Sequence, residues 1–391
     1  MVKPIVFVLS LLIFFSCSRS SEKQKEKQVQ VRLEKLGIIS LETERNFPSS
    51  FDIVNWGDDG KAIVGIDRRI NEILFFDFNG QQMGKVKVPT IDQPFGLKRI
   101  SDVHYINRDS ILVYDAQYLR LILQNQESEV IDSWHLPDFW SEASRSGNVG
   151  IVDAYLHKGS LIAELLAFEN LYPISSRQFY EESKLFHFVN LTQETVNSYL
   201  NYPEESPYRS QLFYTAFFPY VVKTSTSYVL SFPFDNGIYS FNKGLSSYTY
   251  LQNEPKAFPR ATGQAFGSHQ TGNDVLYSRK LNGFGLFMRN SLELNGLGEC
   301  VIRVYREALG NKDEIPNDSR SFYSDEFPPT YNLELFKVDG ERIIKIGQEI
   351  SLKDLGISNF IGQDDDGVLL FIEHNPDRED PRLVKIALSV N

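Results

Sequence analysis

The sequence predicts an all-β fold built from one repeated unit, and three observations carry that expectation. Helical periodicity is almost absent. Segments 62–67, 73–78, 111–114, 119–123 and 368–372 are four to six residues long, rich in Ile, Val, Tyr and Phe, and bounded by polar turns, which is the pattern of short strands. A turn-plus-strand unit then recurs as DDGKAIVGID, NRDSILVYD, HKGSLIAEL, STSYVLSF, GNDVLYS and DDGVLLFIE.

Aligning Ala62, Ile111, Leu161, Tyr228, Val275 and Val368 gives spacings of 49, 50, 67, 47 and 93 residues. A period near fifty is the size of one four-stranded propeller blade. Behind four of these strands lies a second pair, 73–88, 119–136, 237–251 and 331–347, each a hairpin whose turn carries Asn, Gly or Asp. The expected architecture is a six-bladed β-propeller of four-stranded antiparallel blades over residues 29–391. Seven blades is the alternative, because the 93-residue gap has room for another. The stretch 306–329 within that gap, rich in Pro, Asp, Asn and Ser, reads instead as an insertion. Residues 29–41 precede the first unit and are expected to pair with the last, closing the ring without a free edge.

Phe76, Asp77, Phe78, Asn79 and Gly80 resemble the FDxxG turn of the NHL and TolB-like six-bladed propellers.

The amino terminus has a different composition. One cation, Lys3, precedes an apolar run from Ile5 to Phe15 broken only by Ser10, the layout of a secretory signal. At 11 residues the run is too short for the roughly 20 that a membrane-crossing helix requires. Ile13, Phe14, Phe15 and Ser16 before Cys17 resemble a lipobox, with Phe14 where the stricter form has Leu. Residues 1–16 are therefore read as a lipoprotein signal peptide and Cys17 as the lipidation site, its thiolate being the nucleophile that takes up the lipid. Two or three acyl chains, at about 0.8 kcal/mol per buried methylene, make a stable anchor. Residues 17–28 follow as lipidated cysteine and polar tether, since Ser18 to Gln28 contains no apolar residue. Ser18 in place of Asp resembles an outer-membrane address. Leader, tether and repeat together resemble a family of bacterial envelope lipoproteins that are expected to be six-bladed propellers and carry no assigned activity.

Composition limits the partners. The formal charge is −11, one unit more negative once Lys3 leaves with the leader, and phosphate backbones need a basic face, so nucleic acid is not an expected partner. Cys300 is the one cysteine besides Cys17, so no internal disulfide is expected in the mature chain.

Motifs for chemistry are sparse. GxSxG, HExxH and paired CxxC are missing, and the six histidines form no HxxxH pair. Ser240 and Lys243 fit SxxK but lie in a strand hairpin. Asp364, Asp365, Asp366 and Gly367 read as a tight turn, like Asp58, Asp59 and Gly60, and not as a calcium loop. Counting back from the aligned strands reaches Asp52, Asp102, Asp153 and Asn359, near the start of the expected innermost strands. Facing one channel mouth they could hold Ca²⁺, as lactonase-like propellers hold a metal, or they could tie adjacent blades together through backbone amides. The aromatic stretch 208–250 is expected to pack between blades, the alternative being a platform for a glycan or protein ligand. Arg279, Lys280, Arg303 and Arg306 are expected to be exposed, solvated charge. The function these readings favour is a membrane-anchored binding or scaffold module of the cell envelope. A metal-dependent lactonase- or lyase-like enzyme is the alternative.

Overall fold

In the computed structural model, residues 30–390 are described apart from 43–47, 49, 56–59, 108, 116, 137–149, 168–171, 174, 211, 215–217, 256–257, 259–262, 266–283, 295, 309–329 and 374–381. The segments expected to be signal peptide (1–16) and tether (17–28), Cys17 included, lie outside the described residues, as do Asp58, Asp59, Val275, Arg279 and Lys280.

Strand β1 (Val31–Ser40) leads into six antiparallel four-stranded sheets arranged as blades. Blade one is β2 (Ser50–Asn55), β3 (Lys61–Asp67), β4 (Glu72–Phe76) and β5 (Gln82–Lys87). Blade two is β6 (Asp102–Asn107), β7 (Ser110–Asp115), β8 (Arg120–Gln124) and β9 (Val130–His135). Blade three is β10 (Gly150–His157), β11 (Ser160–Leu166), β12 (Phe186–Asn190) and β13 (Thr195–Tyr199), with the short helix α1 (Arg177–Glu182) between its second and third strands. A two-stranded ribbon, β14 (Leu212–Phe213) with β19 (Gln264–Ala265), brackets blade four: β15 (Tyr220–Lys223), β16 (Ser227–Ser231), β17 (Ile238–Asn242) and β18 (Tyr248–Leu251). Blade five is β20 (Phe284–Leu294), β21 (Gly298–Arg306), β22 (Tyr331–Asp339) and β23 (Arg342–Ser351). Blade six takes β24 (Ile357–Gln363), β25 (Leu369–Glu373) and β26 (Arg382–Val390) from the end of the chain and β1 from its start. Val31 pairs with Val390 and Ser40 with Arg382, so the expected closure is present and the ring has six blades. Among the described residues no helix is long and apolar enough to cross a membrane.

The middle strands are apolar on both faces because each blade is sandwiched between two others. Along β3, Val64 and Ile66 pack with Ile111 and Val113 of blade two, whereas Ile63 packs with Ile361 and Leu370 of blade six. The same division repeats in β21, where Cys300, Ile302 and Val304 face blade six and Val301 faces blade four. Six apolar clusters thus occupy the six blade boundaries among the described residues.

The blade-one turn that resembles FDxxG shows why its residue types are needed. Asp77 Oδ1 accepts from the Asn79 and Gln81 amides at 2.8 and 2.9 Å. Gly80 has φ +92°, and a Cβ there would fall 2.2 Å from the Ser40 carbonyl oxygen. In blade six, Asp364 Oδ1 accepts from Asp366 and Val368 at 3.0 and 2.8 Å, so the triple-Asp run is a turn as expected.

The aromatic stretch is interblade core: Tyr208, Phe232 and Tyr239 are fully buried, and Tyr202 stacks on Tyr208 at 5.4 Å. Blade five takes its second strand from Gly298–Arg306 and not from the segment around Val275, and the insertion falls between that strand and β22. Arg303 corrects the solvated-charge reading, because it is 1% exposed. Its Nη2 and Nε donate to Glu334 Oε2 at 2.5 and 2.9 Å across the β21–β22 register, and its Nη1 reaches the Asn236 carbonyl at 3.0 Å. Glu334 Oε1 receives Lys345 Nζ at 2.6 Å and Asn253 Nδ2 at 2.9 Å.

A buried pair of this kind is most sensitive to losing one member. Arg303→Met is expected to cost about 3–5 kcal/mol in denaturant unfolding by leaving Glu334 undercompensated, and Arg303→Met with Glu334→Leu to recover most of it.

Candidate functional site

The innermost strands enclose a central cavity of about 1440 Å³ that side chains from every blade line. Asp52 on β2, Asp102 on β6 and Asp153 on β10 all face it, as the sequence spacing implied. Asn359 lies on β24, its side chain outside the described residues. Each aspartate uses one carboxylate oxygen to accept the amide that follows it, from Ile53 at 2.8 Å, Val103 at 3.0 Å and Ala154 at 2.8 Å.

Asp102 and Asp153 use their second oxygens to reach neighbouring blades. Asp102 Oδ2 accepts the Ile151 amide at 3.0 Å and so joins blade two to blade three. Asp153 Oδ2 accepts Lys223 Nζ at 2.5 Å, joining blade three to blade four. His104 Nε2 approaches Asp153 Oδ1 at 3.3 Å from blade two. Among the described residues no three His, Cys, Asp or Glu side chains are grouped to hold a metal. A divalent ion at Asp153 would have to displace the lysine ammonium.

Lys223 is the centre of this arrangement. Its ammonium lies between Asp153 and Glu164 Oε1, the latter at 2.6 Å, and 4.6 Å above the Tyr155 ring. Glu164 is fully buried, and its other oxygen accepts the Tyr228 hydroxyl at 2.9 Å. Behind it, Lys243 donates to the Thr224 carbonyl and sits 4.8 Å over the Tyr228 ring. That disposes of SxxK, since Ser240 is buried on β17 and the Lys243 ammonium is spent on a backbone oxygen.

Electrostatics hold Asp153 ionised, Lys223 protonated and Tyr228 neutral. Burial alone would raise Asp153, but hydrogen bonds from His104 and Lys223 and the lysine charge outweigh it and hold the carboxyl at about 2. Burial would lower Lys223, yet Asp153 and Glu164 move it upward. Tyr228 is raised by burial and then by Glu164, so it stays a neutral donor. Cys300 is pushed up to about 11 by burial, which makes it an inert thiol.

Spacing found the aspartates but missed Lys223, Glu164 and His104. The available signal was one charged residue inside an apolar strand, Glu164 in SLIAELL, which demands a buried partner. Arg303 in β21 and Glu334 in β22 carry the same signature.

No protein-family model matches the chain, and no curated protein matches it. Solved structures do. A member of the DUF4221 family from Bacteroides vulgatus superposes with a TM-score of 0.69 at 14% identity, over 93% of this chain and 99% of that one. A presumed exported protein from Bacteroides fragilis superposes with a TM-score of 0.51 at 13% identity, over 91% and 95%. At these identities the likeness is one of fold, the six-bladed propeller.

The Asp153 pair gives acid stability a defined shape. A carboxyl held at about 2, against the usual 3.8, stabilises the fold by about 2 kcal/mol above pH 4, and this is lost as pH falls from about 4 through 2. Asp153→Asn is expected to lower stability at pH 7 by about that amount and to flatten the loss between pH 4 and 2, as read by thermal unfolding across pH.

Proposed function

We propose that this protein is a lipid-anchored binding module of the cell envelope, attached through Cys17 at the outer membrane, with the channel mouth as its recognition site. The observation that supports binding over catalysis is the direction of the charge shifts. A general acid or base works best with a pKa near the operating pH. Here Asp153, Lys223 and Tyr228 are all moved away from neutrality. Asp153 and Lys223 line the channel and so present constant charges to a ligand, with Tyr228 supporting them from behind through Glu164. A metal-dependent lactonase- or lyase-like enzyme would need its metal where Lys223 already bridges two carboxylates. The leader and lipobox residues support the address, and the presumed export of the Bacteroides fragilis protein is in keeping with it.

Two measurements test the reading. Metabolic labelling with tritiated palmitate is expected to mark the full chain in the membrane fraction and to leave Cys17→Ser unlabelled and released. In cells, benzoylphenylalanine at position 52, in the channel, is expected to give ultraviolet-dependent adducts that the same probe at position 158, in the turn at the other end of the inner strands, does not. Equal adducts at both positions, or none at 52, would count against the channel as the recognition site.

A further inference from the structure

The connection between blades one and two holds apolar side chains out in solvent, and it does so on a rigid frame. Phe95 is 53% exposed and Ile91 52%. Phe95 also has φ +62°, a left-handed conformation that costs a bulky residue energy and persists only where surrounding contacts enforce it.

Those contacts are specific. Gln93 N bonds to the Thr90 carbonyl at 2.8 Å, Gly96 N to Gln93 at 3.0 Å, and Leu97 N to Pro89 at 2.8 Å. A Cβ on Gly96 would fall 1.7 Å from the Thr90 oxygen, so the loop folds back on itself there. Leu97 and Ile100 are fully buried and root it in the boundary between the two blades. Asn71 in blade one donates to the Leu97 carbonyl at 3.3 Å and accepts from Ile100 N at 3.2 Å. From blade two, Asp115 accepts the Lys98 amide at 2.7 Å and Arg120 reaches the Gly96 carbonyl at 3.4 Å.

The turns that pin the loop carry exposed apolar side chains of their own, Ile70 in blade one and Tyr118 in blade two. The fringe is cationic, with Lys98 and Arg99 exposed and Arg69 exposed beside its ion-pair partner Asp67 at 3.4 Å, on a chain whose net charge is −11. Asp92 is an exposed acid on the same loop. Apolar contacts surrounded by charge opposite to that of the whole molecule fit a partner with apolar side chains and acidic residues around them.

We propose that the 88–101 loop is a docking site for an acidic protein segment that presents aromatic or aliphatic side chains to Ile91 and Phe95. The proposal rests on the binding-module reading and names its face and partner. A protein is favoured over a lipid surface because of where the chain enters the ring. Val31 starts β1 beside Val390, at the hairpin-turn end of blade six. The loop belongs to the opposite end, where chain passes from blade to blade. A lipid on Cys17 would therefore tether the ring at the end away from the loop.

The test selects random phage-displayed dodecapeptides on the full lipidated chain in detergent and titrates the enriched peptide against variants. Enrichment of acidic peptides with aromatic or aliphatic residues is expected. Ile91→Ser with Phe95→Gly is expected to weaken binding tenfold or more, roughly the effect of removing interface anchors. Lys98→Glu with Arg99→Glu is expected to weaken it and reduce its salt dependence. Phe95→Gly alone should raise Tm by ~1–3 °C, because glycine accepts the left-handed backbone, so lost binding cannot be ascribed to misfolding. Neutral or basic consensus peptides, or unchanged affinity in the Ile91/Phe95 variant, overturn the proposal. So does Phe95-dependent sedimentation of Cys17→Ser protein with phosphatidylglycerol–phosphatidylethanolamine vesicles, which would assign the loop to a lipid surface. Adducts at position 52 that persist in Phe95→Gly while the peptide results fail would remove the docking loop and leave the binding-module reading intact.

Discussion

The constraint that governs this molecule is that every blade is covered on both faces by its neighbours, so each middle strand must satisfy two partners at once. Val64 and Ile63, adjacent in β3, belong to cores on opposite sides of blade one. A ring made this way holds together only if the last boundary is as complete as the others. The β1–β26 ladder supplies that by completing blade six from the two ends of the chain.

Polar groups caught in these boundaries must find partners there, because an unpaired buried charge costs more than it can return. Blade four has such pairs on both sides. Lys223 and Asp153 join it to blade three, and Arg303 reaches across to it from blade five. The first pair differs in opening onto the central channel, with Asp153 and Lys223 about a quarter exposed. One set of interactions therefore serves both as an interblade tie and as the charged lining of the channel.

Much of this was legible in the sequence. The repeat of Ala62, Ile111, Leu161 and Tyr228 falls on the second strand of the first four blades, and the four predicted hairpins are the outer strand pairs of their blades. Blade five broke the pattern because its strands are longer and an insertion separates its second strand from its third, so spacing pointed to Val275. The aspartates were found because inner-strand position follows from the repeat. Lys223 was not, since which neighbour a side chain reaches depends on how one blade packs on the next. Arg303 was read as solvated because charge next to charge in sequence suggests a surface, while its partner Glu334 lies on the following strand. Phe95 gave no sign in sequence, because its exposure depends on how hydrogen bonds from two blades hold a fourteen-residue connection.

The channel already holds its own cation, the Lys223 ammonium between Asp153 and Glu164. Crystals of the protein grown with calcium chloride and measured for anomalous scattering test it most directly. Lys223 density bridging the two carboxylates is expected, with no anomalous peak among Asp52, Asp102, Asp153 and Asn359. A peak about 2.3–2.6 Å from those oxygens, with Lys223 turned away, would contradict it.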